Sequence, residues 1–181
     1  MRRSLGALAV FGLLAALVAC DSGSEGEKPP PAALTRDAIG HYCGMIVVDH
    51  AGPKAQIHLR SGEQVVWFTS VRDGISFTRL PEEPDDIAAF YVNDIASTED
   101  WNNPGDETWI DAHSAVYVID STRRGGMGAL EAVPFSDEAA ARAFTKEYGG
   151  RIVKLEEIPD DYVLGDGDPQ PSAMHGHGSG H

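Results

Sequence analysis

The chain has 181 residues, of which 42% are apolar and 23% are charged, so it can bury a hydrophobic core in one or two small domains. Its 14 Lys and Arg residues against 28 Asp and Glu residues leave a formal charge of −14. A balance this acidic excludes nucleic acid as a main partner and argues against binding to anionic membrane surfaces.

The amino-terminal residues 1–19 predict a lipoprotein signal peptide. A basic start at Arg2 and Arg3 precedes an apolar run over residues 5–18, which is too short for a membrane-spanning helix. The run ends at Ala19-Cys20, which resembles a bacterial lipobox and implies cleavage before Cys20 and lipid attachment to its sulfur. The lipid would hold the protein at a membrane surface. A plain secretory signal with an incidental cysteine is the alternative interpretation.

Composition divides the rest of the chain into a folded middle and two polar ends. Residues 20–34 predict the lipidated cysteine followed by a flexible tether that is rich in Gly, Ser, Glu and Pro. Residues 35–98 and 99–164 predict two structural units. Residues 165–181 predict a disordered tail that is rich in histidine.

In the first unit, apolar and β-branched runs predict four strands around one helix. The predicted strands cover residues 45–48, 55–59, 64–68 and 88–92. Thr69 or Ser70 is a candidate cap for a helix that runs to about residue 80. Gly74 lies within that helix and weakens its intrinsic preference for helical structure.

The second unit repeats this order. Its predicted strands cover residues 108–110, 115–119, 130–135 and 151–158. Ser136 is the predicted cap of a helix whose apolar residues lie four apart, and Gly149-Gly150 ends that helix. Aligned by eye, Cys43-Gly44-Met45 of the first unit corresponds to Gly126-Met127 of the second. We therefore predict an α+β fold built from two related β-β-α-β units.

Cys43 is a candidate site residue because it is unpaired. The chain has two cysteines, and lipid on Cys20 leaves Cys43 unpaired in an oxidising compartment. A free thiol without a function would be exposed to oxidation there. Met45 lies two residues away, and Gly44 allows the tight turn that lets the two sulfurs converge. Thiolate and thioether donors together select Cu(I). The alternative is that Met45 is a core residue at the start of a strand.

Met127 is the second candidate sulfur donor. It lies in the loop Arg123-Arg124-Gly125-Gly126-Met127-Gly128, where it belongs to no apolar face of a predicted helix or strand. If the two units pack with their Gly-Met turns facing each other, Cys43 and Met127 meet between them. These two residues are therefore the main candidates for a copper site.

Histidines add candidate nitrogen ligands. His50 and His113 lie near predicted turns, although each can equally be a surface histidine. His175, His177 and His181 are spaced by glycines and form a candidate weak site for Cu(II), Ni(II) or Zn(II) in the tail. An incidental tail without a metal is the alternative there.

Catalytic motifs are absent from the sequence, which contains no CxxC, HExxH, P-loop or dinucleotide-binding fingerprint. Cys43 and His41 are too close in sequence to establish a nucleophile–base pair, and nothing marks an oxyanion hole. The pattern favours binding over catalysis.

Several segments match one known family, and together with the lipobox they span nearly all of residues 17–158. They are Ala38-Ile39-Gly40-His41-Tyr42-Cys43-Gly44-Met45, Asp49-His50-Ala51-Gly52-Pro53-Lys54-Ala55-Gln56, Trp67-Phe68 with Ser70-Val71-Arg72-Asp73, Trp109 with Ala112 and Ala115-Val116-Tyr117-Val118, Gly126-Met127-Gly128 with Pro134-Phe135, and Gly149-Gly150. In these segments the chain closely resembles the NosL family.

The resemblance implies a copper-binding lipoprotein of denitrification that is not an enzyme. Such a protein delivers Cu(I) in the periplasm for assembly of the copper-sulfide centre of nitrous oxide reductase, and lipid holds it to the inner or the outer membrane. The implied fold is similar to the amino-terminal region of organomercurial lyase. The family's copper ligands fall on Cys43 and Met127, with Met45 in the same motif. Arg124-Gly125 and the His-rich tail depart from the family's pattern.

Two other functions stay open at this stage. The chain could be a scaffolding lipoprotein that only contacts the reductase, in which case changing Cys43 and Met127 would leave its function intact. It could also be a thiol enzyme that depends on Cys43, which would require a second cysteine or a positioned acid. A homodimer is an open alternative to a monomer.

Overall fold

The protein contains two antiparallel sheets, each formed by one β-β-α-β unit. The computed structural model describes residues 28–62 and 64–165. The elements of the first unit are β1 at Ala55–Leu59, β2 at Val65–Phe68, α1 at Val71–Phe77 and β3 at Ile87–Asn93, followed by the edge strand β4 at Trp109–Asp111. Those of the second unit are β5 at Val116–Ile119, β6 at Val133–Phe135, α2 at Glu138–Tyr148 and β7 at Arg151–Lys154, followed by α3 at Asp160–Leu164.

The two sheets share one strand arrangement. Their orders are β2-β1-β3-β4 and β6-β5-β7. In each sheet the unit's first strand lies between its hairpin partner and the strand that follows the helix, and the pairs are antiparallel. This repeated topology confirms the predicted α+β fold of two related β-β-α-β units. The strand predicted at residues 108–110 was assigned to the wrong unit, because the observed strand β4 pairs with β3 in the first sheet.

The inner faces of both sheets meet in one hydrophobic core. Phe90 of the first unit and Tyr117 of the second belong to the same buried cluster. Ala55 and Gln56 are neighbours in β1 and therefore lie on opposite faces of the sheet. On the core face, a Cβ on Gly74 would lie 2.7 Å from the Cβ of Ala55. Glycine within α1 thus lets the helix approach the sheet closely.

The segment after β7 fastens the second unit to α1. Ser76 Oγ donates a hydrogen bond to the carbonyl oxygen of Val163 (2.7 Å). Arg79 Nη1 donates to the carbonyl oxygen of Ile158 (2.6 Å). Because these bonds join positions 87 and 79 residues apart, α1 and the residues just after it contact both units.

Residues 28–34 lie across the polar face of the first sheet. Ala32 and Gln56 exchange two hydrogen bonds, from the Ala32 N–H to Oε1 (2.7 Å) and from Nε2 to the Ala32 carbonyl oxygen (3.1 Å). Tyr91 Oη donates to the carbonyl oxygen of Pro29 (2.6 Å). The last residues of the segment assigned to the tether therefore contact the folded unit.

The predicted strand at residues 45–48 is wrong. Ile46 forms only an isolated bridge to Ile39, and Val47–Asp49 is a short 3-10 helix. The N–H groups of Asp49 and His50 donate to carbonyl oxygens three residues back. Local hydrogen bonds thus satisfy the backbone there in place of a strand ladder.

Two other predicted strands are shorter in the structure. The strand predicted at residues 130–135 begins only at Val133, because the Ala132 N–H donates to Glu131 Oε1 (3.0 Å) rather than to a neighbouring strand. The strand predicted at residues 151–158 ends at Lys154. The chain then forms a 3-10 helix at Leu155–Glu157.

The cap of α2 also differs from the prediction. Asp137, not Ser136, accepts hydrogen bonds at the start of the helix, from the N–H groups of Ala139 (3.0 Å) and Ala140 (3.3 Å). The Ser136 hydroxyl donates instead to Asp94 Oδ2 in the first unit (2.5 Å). The Ser136 hydroxyl is therefore bound by Asp94, a residue distant in sequence, and does not cap α2.

Candidate metal centre

Cys43 lies in a tight turn against the edge of β2. The Gly44 N–H donates to the carbonyl oxygen of Gly40 (2.8 Å) and closes the turn. Gly44 has a φ of +66°, in the left-handed region that glycine adopts without strain. The His41 N–H donates to the carbonyl oxygen of Trp67 (2.8 Å) and fastens the turn to β2. The thiol is thus carried by backbone that is hydrogen-bonded on both sides.

Thr69 brings the thiol of Cys43 and the thioether of Met127 together. It is 2% exposed and lies between the end of β2 and Ser70, the residue that caps α1. Its Oγ1 lies 3.7 Å from Cys43 Sγ and donates to Met127 Sδ at 3.6 Å. Gly40 leaves space for the thiol, since a Cβ there would lie 2.6 Å from Sγ. Cys43 and Met127, called the sulfur pair below, therefore reach one hydroxyl from two different units.

The loop that carries Met127 packs against the turn before β1. The Gly128 N–H donates to the carbonyl oxygen of Gly125 (2.9 Å) and closes the loop. A Cβ on Gly126 would lie 2.4 Å from the carbonyl oxygen of Ala51, so the two backbones are in direct contact. The Met127 side chain is 55% exposed. The loop backbone is therefore held in place while Met127 as a whole stays accessible to solvent.

The structure places the other candidate ligands in turns. His50 belongs to the turn that touches the Met127 loop. Met45 lies in the same turn region as Cys43 and is 40% exposed. His113 lies on the exposed turn after β4. Within the described part of the chain, no hydrogen bond joins any of these three side chains to a sulfur of the pair.

Two predicted sites lie outside the described residues. They are the lipid site at Cys20 and the tail site at His175, His177 and His181. Within residues 28–62 and 64–165, the His, Cys, Asp and Glu side chains form no group of three or more that could hold a metal ion. The sulfur pair falls outside that search, because one of its two donors is a methionine.

His41 is engaged by groups other than the Cys43 thiol. Its Nε2 lies 3.1 Å from Glu83 Oε1, and its ring packs edge-on against Phe77 at a centroid distance of 5.3 Å. Among the described residues, the side-chain partner of the thiol is Thr69. The nucleophile–base pair that the sequence left open is therefore not formed in this structure.

The chemistry of the sulfur pair suits copper. A thiolate and a thioether are soft donors, and such donors select Cu(I) over harder ions. The sequence interpretation did not include Thr69 in the site, because its position before Ser70 indicated only a helix cap. Its contact with Met127 joins residues 58 positions apart, so no local pattern could have revealed it.

Comparison with known proteins agrees with this chemistry. A family model described as NosL matches residues 31–163. The copper-binding lipoprotein NosL of Achromobacter cycloclastes is 44% identical over 165 residues, which cover 91% of this chain and 85% of that protein. The protein of the same name from Stutzerimonas stutzeri is 34% identical over 171 residues, which cover 91% and 88% of the two chains. The crystal structure of the copper chaperone NosL from Shewanella denitrificans matches with a TM-score of 0.67 at 33% identity, over 72% of this chain and 97% of that chain.

Proposed function

The chain belongs to the NosL family, and we propose that it is a chaperone that carries Cu(I) to nitrous oxide reductase for assembly of the enzyme's copper-sulfide centre. Copper is the cargo, and Cys43 and Met127 bind it. Relatives that are named copper-binding lipoprotein and copper chaperone support a binding function without catalysis. The acceptor is the one that the family resemblance implies.

The observation that carries the proposal is the shared contact of the sulfur pair with Thr69. The hydroxyl lies 3.7 Å from the thiol and 3.6 Å from the thioether, so one side chain contacts both sulfurs. Cu(I) accepts two or three soft ligands, and the sulfur pair supplies two of them. One ligand comes from each unit, and the core that the units share keeps the two sulfurs near each other.

The exposure of the site supports transfer of copper to another protein. Large exposed hydrophobic side chains lie around the thiol turn, namely Ile39, Tyr42 and Met45, and Met127 is the most exposed of this group. An acceptor can therefore reach the metal from the Met127 side. With two protein ligands the metal keeps a free coordination position, so an incoming donor can bind before the first ligands leave.

Membrane attachment by lipid on Cys20 completes the proposal. The lipid would hold the protein on the periplasmic side of a bacterial membrane, where an exported reductase acquires its copper. Relatives named as lipoproteins support this anchor. Across residues 28–62 and 64–165, no helix combines the length and the apolar character needed to cross a bilayer.

An anaerobic Cu(I) titration against a competing chelator tests the copper site. The samples are the chain from residue 21 onward and its Cys43→Ala, Met127→Ala and Met45→Ala variants. We expect one tight site per molecule. Cys43→Ala should weaken it by more than about 100-fold and Met127→Ala by at least about tenfold, because losing a ligand costs as much as losing an outer-shell partner or more.

Met45→Ala is the matched control, since it removes an exposed thioether from the same surface without removing a member of the sulfur pair. Its affinity should stay close to that of the wild type. If both the Cys43 and the Met127 variants bind Cu(I) as tightly as the wild type, the proposed site is wrong and a scaffolding role is favoured. A loss in Met45→Ala equal to that in Met127→Ala would make Met45 a third ligand.

Delivery is tested separately by mixing the copper-loaded chain with the copper-free reductase in the absence of oxygen. Transfer should occur with the wild type and fail with Cys43→Ala, which cannot load. Copper that stays on the chaperone, or that reaches the reductase equally fast from a copper–chelator complex alone, would argue against delivery.

A further inference from the structure

Glu131 is a buried carboxyl side chain beneath the loop that carries Met127. It is 1% exposed. Its Oε1 accepts hydrogen bonds from the N–H groups of Arg72 (3.0 Å) and Ala132 (3.0 Å). Its Oε2 is buried and has no hydrogen-bond partner among the described residues. Because an unpaired buried polar atom costs free energy, this side chain needs a reason beyond packing.

The unpaired oxygen lies directly against the loop. A Cβ on Gly125 would lie 2.7 Å from Glu131 Oε2, so the carboxyl group fills the space under the loop backbone. The Gly125 N–H donates to the carbonyl oxygen of Ala129 (3.0 Å), and its own carbonyl accepts from the Gly128 N–H. Residues 125–129 are thus one compact turn, and its support at Gly125 affects where Met127 lies.

The same carboxyl group also holds the opposite side of the site. Arg72 is the second residue of α1, and its N–H is bound by Glu131 Oε1. Thr69 lies three residues earlier, next to the helix cap at Ser70. One side chain therefore joins the backbone that carries the Thr69 hydroxyl to the loop that carries the Met127 sulfur.

The surroundings of Glu131 favour its neutral form. Burial raises the pKa of the Glu131 carboxyl to about 8, and the nearby Asp73 carboxylate adds to the rise, while two backbone N–H groups and Lys54 oppose it. Burial likewise lowers the pKa of Lys54 to about 8. Lys54 Nζ donates to the carbonyl oxygen of Gly52, in the turn that touches the loop. Glutamine is therefore the closest mimic of Glu131 at neutral pH.

We propose that Glu131 is a positioning residue for the copper site, which sets the distance between Thr69 and Met127 by bonding the start of α1 and supporting the loop at Gly125. The inference rests on the proposed function, because the position of the loop matters to copper only if Met127 is a ligand. Partners that orient metal ligands typically change affinity by about 10–100-fold when they are removed.

A double-mutant cycle on Cu(I) affinity separates positioning from a general folding defect. Glu131→Ala is made in the wild-type chain and in the Met127→Ala chain, and affinities are measured by competition with a chelator. We expect Glu131→Ala to weaken binding about tenfold in the wild-type chain and to have no further effect in the Met127→Ala chain. A merely structural residue would weaken binding in both.

Glu131→Gln is the matched control. It keeps an acceptor oxygen for the two N–H groups and the shape of the neutral carboxyl group, so affinity should stay within about twofold of the wild type. The inference would be overturned if Glu131→Ala reduced Cu(I) affinity equally in the wild-type and the Met127→Ala chains. It would also be overturned if Glu131→Gln bound Cu(I) as weakly as Glu131→Ala.

Gly125→Ala keeps the inference testable if circular dichroism shows that Glu131→Ala does not fold. Its methyl group displaces the carboxyl from the loop side, and its effect on affinity should also disappear in the Met127→Ala chain. No loss of affinity in Gly125→Ala would overturn the inference. A Met127→Ala chain that binds Cu(I) as tightly as the wild type would instead refute Met127 as a ligand and with it the proposed function. Additive losses of affinity from Glu131→Ala and Met127→Ala would refute only the positioning role of Glu131.

Discussion

Two Gly-Met pairs, Gly44-Met45 and Gly126-Met127, lie in the two turns that carry the sulfur pair, and glycine is needed for a different reason in each. Gly44 has a φ of +66°, and a Cβ there would meet nothing within 4 Å. At this position glycine is therefore needed for its backbone conformation. Gly126 is not among the residues with a positive φ, yet a Cβ there would lie 2.4 Å from the carbonyl oxygen of Ala51. At this position glycine is therefore needed because there is no room for a side chain.

This difference shows that two similar motifs in related units can be held by different interactions. The turn at Gly44 is closed by its own backbone hydrogen bonds and by pairing with β2. The loop at Gly126 is also closed by backbone hydrogen bonds, and it packs against Ala51, which is distant in sequence, and against the nearby Glu131 side chain. The Gly126 loop should therefore respond to changes at Ala51 and Glu131, and the Gly44 turn to changes in β2.

Gly126→Ala should have the largest effect and test the space requirement. The added methyl group overlaps backbone that cannot move aside, which should lower the free energy of unfolding by about 3 kcal/mol. Displacement of the loop should also reduce Cu(I) affinity to the level of Met127→Ala. Urea denaturation and chelator competition measure the two effects.

Gly128→Ala is the control within the same loop. Gly128 has a φ of +80° and open space around it, so only the cost of the left-handed conformation, about 1 kcal/mol, is expected. If Gly126→Ala is no more harmful than Gly128→Ala, the contact with Ala51 does not hold the loop.

Asp94→Asn should have the next largest effect, because Asp94 joins the two units. Its carboxylate accepts hydrogen bonds from Ser97 Oγ (2.6 Å) and from Ser136 Oγ (2.5 Å) and N–H (2.9 Å). Since hydrogen bonds to charged groups are the stronger ones, we expect a loss of about 2 kcal/mol in unfolding free energy at pH 7. Cu(I) affinity should not change, because the contacts that position the loop remain.

The stabilisation by Asp94 should also depend on pH. Burial alone would raise the pKa of Asp94, but the hydrogen bonds from Ser136 and Ser97 outweigh burial and lower it. A carboxyl group with a lowered folded-state pKa stabilises the protein above the unfolded-state pKa, near pH 4, and loses this effect as the pH falls through the folded-state pKa. The stability difference between the wild type and Asp94→Asn should therefore shrink in acid. A constant difference down to pH 2 would contradict this assignment.

Gly44→Ala should have a smaller effect and test the conformational requirement. An alanine at a φ of +66° costs about 1 kcal/mol of stability, with no steric clash. Gly44→Asn should cost less, because asparagine adopts the left-handed region more readily. Urea denaturation of both variants measures the difference, and an Asn variant less stable than the Ala variant would be evidence against a purely conformational requirement.

Removal of the residues after Gly165 should have the smallest effect on the tight site. The sulfur pair and its supporting contacts lie within residues 28–165, so we expect the tight Cu(I) affinity to stay the same. Binding of excess Cu(II) should fall, since His175, His177 and His181 are lost. Disappearance of the tight Cu(I) site would move the main site to the tail.

Much of the fold could be predicted because its signals are local. Strands β1, β3 and β5 follow apolar runs, and α2 ends at Gly149, whose φ of +71° matches the expected stop. The errors occurred where another hydrogen-bond partner, distant or local, replaced the expected one. Ser136 was predicted to cap α2, but Asp94 binds its hydroxyl. Residues 130–132 were predicted to extend β6, but the Glu131 side chain binds the next backbone N–H.

The sequence by itself determined the order of the elements, the repeated topology and the types of candidate metal donor. These properties follow from alternation, capping residues and the softness of sulfur, which depend on single residues or near neighbours. Only the tertiary structure decided that Thr69 lies beside both sulfurs and that Glu131 lies beneath the loop. The contact between Thr69 and Met127 joins residues 58 positions apart, and the bond from the Arg72 N–H to Glu131 joins residues 59 positions apart. Nothing in a local pattern records which distant residue will pack there.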